Sequence, residues 1–160
     1  MGPSDHHEVR SDELMLEIKR VLPAPRPAVF AAFSDRDELA KWWGPEGFTI
    51  PSLRFQARVG ESYRIEMEPP EGEPFYLAGE FREVDPPARL TFTFVWEDPD
   101  PDDVPTLAGL SFRDRGEATE VALTQGPFKT EARRALHRDG WTDSFDKLEQ
   151  LIAGRARDRG

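Results

Sequence analysis

The sequence predicts an α+β domain in which a curved antiparallel sheet wraps one long C-terminal helix. Three observations carry that expectation. Between Leu53 and Trp96 apolar and charged residues alternate with a period of two, the mark of antiparallel strands with one wet face. From Thr130 onward the period becomes helical. Between an early strand and the meander lies a short stretch of helical pattern that ends in two adjacent tryptophans.

In chain order, Leu14–Leu22 reads as the first strand, closed by Pro23 and Pro25. "RPAVFAAF" reads as a short helix with Pro27 in its first turn, where a missing N–H costs nothing. Ser34 followed by Asp37 resembles a capping box, which predicts a second helix through Glu38 and Leu39 to Trp43. Gly44-Pro45 stops it. Leu53, Phe55, Ala57 and Val59 then share one parity, as do Tyr63, Ile65 and Met67, and Leu77, Gly79 and Phe81. Turn signals at "VGE", "PPEGEP" and "DPP" separate these runs. Leu90, Phe92, Phe94 and Trp96 continue the pattern. Leu110 with Phe112, and Val121 with Leu123, add two strands around "DRGEAT". That makes about six strands after the helices. In the last segment His137, Trp141, Phe145, Leu148 and Ile152 form one stripe, with Thr130 as the expected N-cap and Gly154 as the expected stop. Gly140, inside this helix, reads as a point of close packing or a bend.

Composition narrows the function. The chain has 160 residues, one domain's worth, and no cysteine, so disulfides and thiolate chemistry are excluded. Residues 1–13 read as a disordered polar segment, 14–153 as the single domain and 154–160 as a flexible tail. With 21 Lys+Arg against 31 Asp+Glu the formal charge is −10, which argues against nucleic acid as a partner. No run reaches the roughly 20 apolar residues of a membrane span, and the N-terminus has no apolar leader. A cytoplasmic protein without membrane insertion is the expectation. "DPDPDDVP" reads as a mobile, solvated acidic loop. His6 and His7 lie in the polar N-terminus, and no metal constellation or cofactor fingerprint appears.

A bent sheet and a single helix need not fill the space between them, and large aromatics on both surfaces can line what is left. The segments "APRPAVFAAFSDRDELAKWWGPEGF", "GESYRIEM", "GEFREVDPPARLTFTFVWE", "TEVALTQ" and "HRDGWTDSFDKLEQLIA" resemble, in order, the activator of heat shock protein 90 ATPase homologue-like family. That family sits within the START/birch-pollen-allergen-like SRPBCC superfamily. The likeness covers about Leu14 to Ala153, with "WWGP" and H-x-x-G-W as its specific parts. It implies a β-α-α-β6-α helix-grip fold with an internal cavity between the sheet and the C-terminal helix.

The candidate wall of that cavity is Trp42, Phe48, Tyr63, Phe92, Trp96, His137, Trp141 and Phe145. Trp42 and Trp43 are about 100° apart on a helix, so one faces the core and the other can reach the cavity mouth. The Tyr63 hydroxyl is an expected polar handle. His137 matches the family's histidine and has a ring suited to orienting a ligand or exchanging a proton. The leading functional reading is a protein that binds a small hydrophobic or aromatic molecule. A polyketide cyclase- or dehydratase-like enzyme using His137 is the alternative, although no catalytic arrangement stands out. The family name carries a third reading, a stress- or chaperone-associated interaction module, for which no residue argues. Nor does any residue separate a monomer from a homodimer.

Overall fold

The structure is a computed structural model that describes residues 14–159, with side chains described through Arg155. The expected segment 1–13 therefore lies outside the described residues. The elements follow the order β1 (Leu14–Leu22), α1 (Arg26–Ser34), α2 (Arg36–Leu39), β2 (Leu53–Arg54), β3 (Ser62–Met67), β4 (Phe75–Asp85), β5 (Arg89–Trp96), β6 (Thr106–Arg115), β7 (Ala118–Phe128) and α3 (Glu131–Arg159). All seven strands join one antiparallel sheet in the order β1-β7-β6-β5-β4-β3-β2. This is the predicted β-α-α-β6-α arrangement.

The alternation read from the sequence sets which face is buried. Tyr63, Ile65 and Met67 on β3, Leu77 and Phe81 on β4, and Leu90, Phe92 and Phe94 on β5 all point into the core. At the β3–β4 pair Gly79 faces Tyr63, and a Cβ there would stand 1.9 Å from the Thr93 carbonyl oxygen, so only glycine fits. The helix stripe behaves as expected: His137, Trp141, Phe145, Leu148 and Ile152 are all buried. Phe145 and Leu148, both fully buried, each contribute roughly 1.5–3 kcal/mol by leaving water. Arg20 of β1 ties strand to helix by reaching Asp146 and Glu149, each at 3.0 Å, with its guanidinium over the Phe145 ring.

Four local expectations are corrected. The cap of α2 is Asp35, whose carboxylate accepts from the N–H groups of Asp37 and Glu38, while the Ser34 hydroxyl turns back to the Phe30 carbonyl. The helix does not run to Trp43; after Leu39 the chain tightens into i→i−3 bonds from Lys41 and Trp42. The strand expected over Leu53–Val59 shrinks to Leu53–Arg54, and Val59 is 64% exposed. Finally, α3 continues through Gly154 to Arg159, so the expected stop and the tail at 154–160 are helical as far as 159. Glycine in a helix costs only about 1 kcal/mol, too little to end it alone. At the other end, Thr130 does cap α3, accepting from the Arg133 N–H at 3.1 Å. No described helix is long and apolar enough to cross a membrane.

Candidate functional site

Where α3 lifts away from the far strands, a cavity of about 590 Å³ remains between helix and sheet. Its wall comes from four places: the "WWGP" loop with Phe48, the ends of β3–β5, the acidic loop after β5, and the first turns of α3.

The loop wall is fixed by the helix opposite. Gly44 adopts φ +99°, a conformation that side-chain-bearing residues rarely take, which explains why the chain turns at this point. Ser144 of α3 accepts a hydrogen bond from the Gly44 N–H at 3.0 Å. Its own proton has two carbonyls in reach, Gly44 at 3.1 Å and Gly140 at 3.0 Å. Lys147 donates to the Pro45 carbonyl at 3.2 Å, and Asp143 accepts from the Glu46 N–H at 3.2 Å. The half-buried Lys147 ammonium is pushed below its ordinary pKa by desolvation, with Glu46 and Asp143 acting against that shift.

These clamps assign the two tryptophans different places. Trp42 is the core residue: it is 0% exposed, packs edge-on to Phe33 at 4.7 Å, and donates from Nε1 to the Ala32 carbonyl at 3.1 Å. Trp43 is the wall residue, edge-on to Trp141 at 5.1 Å. Of the candidate set, the structure brings Phe48, Trp96, His137 and Trp141 together on the cavity. The other four are corrected. Trp42 and Phe145 are packed core, and Phe92 is sealed behind Tyr63 and Phe81. The Tyr63 hydroxyl is spent on the Thr93 carbonyl at 2.6 Å, and burial pushes its phenol far up. It offers nothing to a ligand.

His137 sits at the centre of the helix wall. Its Nδ1 lies 2.8 Å from the Arg133 carbonyl, which can only accept, so Nδ1 carries the proton. The free lone pair on Nε2 then accepts from the Trp96 indole N–H at 3.1 Å. Burial lowers the imidazole pKa, and the Arg133 carbonyl and Asp103 only partly offset this, so the ring is neutral near pH 7. Phe128 and Phe94 pack on the same ring, at 4.8 and 5.7 Å between centroids. Trp141 is likewise committed, donating to buried Gln125 at 2.7 Å.

Trp43 takes the place at the wall that the sequence left open between the two tryptophans, while Met67, Phe75, Tyr76, Phe94, Leu136 and the acidic group around Arg133 were not in the candidate set. Phe75, Tyr76 and Leu136 are at least partly exposed, so they form the mouth. The acidic loop does not hang free. Arg133 reaches from α3 to Asp100, to Asp102 at 3.0 Å and to Asp103 at 3.5 Å, and Thr130 and Lys129 add contacts to the same loop. Partial burial works to raise the Asp102 carboxyl, but bonding to Arg133 outweighs it and holds the group below its usual value. The four aspartates at 98–103 were legible as an acidic loop, but Arg133 lies some thirty residues further along the chain. The face of the helix it occupies could not be read without the fold.

Comparison with known proteins agrees with this architecture. A protein from Chromobacterium violaceum is similar at 27% identity and TM-score 0.80, over 86% of this chain and 96% of that one. The AHSA1 protein of Silicibacter pomeroyi is similar at 27% identity and TM-score 0.79, over 88% and 99%. A protein from Nitrosomonas europaea follows at 26% and 0.77, over 91% and 98%. No curated protein matches the sequence. The model of the family described as activator of Hsp90 ATPase homolog 1-like protein matches residues 23–153. With most of its length matched and its helix-grip architecture shared with these neighbours, the chain belongs to the activator of Hsp90 ATPase homolog 1-like family.

Proposed function

We propose that this domain binds a small, largely apolar or aromatic molecule in the cavity between the sheet and α3. The observation that carries the reading is the wall itself. Trp43, Phe48, Phe94, Trp96 and Trp141 converge on about 590 Å³, room for a ligand of drug-like size. Each Å² of apolar ligand surface withdrawn from water contributes roughly 25 cal/mol, against which stands the loss of ligand freedom. A wall held by the Gly44 N–H on Ser144, by Lys147 on the Pro45 carbonyl and by the Trp96–His137 pair needs little ordering on binding, which keeps that opposing term small.

The enzyme alternative finds less support. Both ring nitrogens of His137 are engaged, one by a backbone carbonyl and one by an indole N–H, so the ring holds its neighbour in place and has no free site for exchanging a ligand proton. In our reading His137 is a positioning residue of a binding site. The interaction with a chaperone that the family name evokes has no observation of its own here.

The test is direct. Protein purified from its own cells is denatured, and the organic extract is analysed by mass spectrometry. A stoichiometric apolar molecule is expected. An extract empty of one, together with no change in tryptophan fluorescence on titration with aromatic probes, would overturn the reading.

A further inference from the structure

Resting on the binding reading above, we propose that the cavity selects ligands whose aromatic body ends in a positive charge, with the cationic end at the mouth beside Asp98, Asp100 and Asp103. The inference comes from combining the wall with its charged groups. Three carboxylates line the cavity against one guanidinium, Arg133. Arg133 is already consumed, since it pairs with Asp100, Asp102 and Asp103 at once. Counting Lys129, which reaches the Pro101 carbonyl at 3.1 Å, the loop and its partners hold four carboxylates, those of Asp98, Asp100, Asp102 and Asp103, against two cations. Asp98 makes no ion pair among the described residues. Arg64, which covers the ring of Tyr76 near the mouth, is held bidentately by Glu97 at 2.7 and 2.9 Å and adds no free positive charge.

The aromatic walls act in the same direction. Indole faces carry negative electrostatic potential and attract a cation within about 6 Å of the ring, tryptophan best of all. Trp43, Trp96 and Trp141 all line the cavity, and two of the three indole N–H groups, those of Trp96 and Trp141, are turned onto protein acceptors. An anionic ligand would meet unpaired carboxylate and aromatic faces together. That is discrimination by repulsion as well as by attraction.

The experiment uses three probes with one aromatic body: naphthylethylammonium, naphthylethanol and naphthylacetate, titrated calorimetrically into the full chain and into Asp98→Asn. The ammonium should bind tightest and the carboxylate weakest, with the two separated on the order of tenfold. In about 0.5 M salt the gap should narrow while the alcohol is unmoved. Asp98→Asn should weaken the ammonium about two- to fivefold and leave the alcohol unchanged. If the three probes bind alike, or the carboxylate binds best, charge selection is overturned while apolar binding stands. If none binds, charge selection is overturned; the apolar reading falls with it only if the cellular extract is also empty.

Discussion

The Trp96 indole N–H points at Nε2 of His137 across 3.1 Å, joining the last strand residue before the acidic loop to the second turn of α3. The bond requires an imidazole whose Nε2 is bare. Protonation would set two N–H groups face to face, and burial among Phe94, Phe128 and Trp96 already disfavours the charged ring. Asp103 is the acidic group acting to keep the proton and Arg133 the basic one acting to expel it. The folded-state pKa is therefore depressed below the ordinary 6.5. The stabilisation this brings is fully present above about pH 6.5 and is lost as pH falls through the depressed value. Urea unfolding measured across that acid range should show wild-type stability falling more steeply than that of His137→Gln, by up to about 1.4 kcal/mol per pH unit. Parallel curves for the two proteins would remove His137 as the titrating group.

The two adjacent tryptophans should separate stability from binding. Trp42 has no cavity face, fills core against Phe33 and holds a buried carbonyl through its indole. Trp42→Ala should cost about 3–5 kcal/mol. Trp43 borders space that is already empty, so Trp43→Ala leaves fewer contacts unfilled and should cost at least about 1 kcal/mol less than Trp42→Ala. It should nonetheless weaken naphthylethanol binding measurably. Denaturation midpoints and one titration decide it; equal costs with unchanged binding would return both residues to the core.

Arg133 is the organising cation of the loop at 98–103. Arg133→Met keeps the aliphatic stem but leaves the carboxylates of Asp100, Asp102 and Asp103 facing one another with no guanidinium between them. Amide exchange in that loop should accelerate selectively, and added salt should recover part of the protection by screening the repulsion. An exchange pattern identical to wild type would show that the loop is held by its own turn, for which the Asp100 N–H donating to Asp103 at 2.9 Å is the candidate contact.

The contrast between what was readable and what was not follows from the kind of signal. Alternation around Tyr63, Ile65 and Met67, and the stripe from His137 to Ile152, are periodic patterns that a buried face imposes on the chain, so strand and helix faces could be read directly. The cavity wall is not periodic. Phe92 and Phe94 share one strand face and differ only in what lies beyond them: Tyr63 and Phe81 close over the first, while the second meets His137 and open space. Trp42 and Trp43 are distinguished by a turn tightened after Leu39 and clamped by Ser144, about a hundred residues away. Parity could name the inward residues; which of them border a void depends on packing that only the fold supplies.

Gly140 tests whether the helix bordering the cavity tolerates being filled. The sequence suggests close packing there, but a Cβ built at Gly140 would sit 3.8 Å from Cγ of Pro45, an ordinary contact with no clash. The glycine is therefore not required by its neighbours, while it costs helix α3 up to about 1 kcal/mol relative to alanine. Gly140→Ala should raise the melting temperature by about 2–4 °C. The added methyl also occupies the wall between Pro45 and Trp141, next to Ser144. Larger ligands should lose affinity in proportion to their bulk while naphthylethanol is little affected. Calorimetry on the variant with short and long naphthyl alcohols separates these effects. A destabilised variant would mean that the helix needs the glycine at this turn; a stabilised one with unchanged selectivity would mean that ligands do not reach this part of the wall.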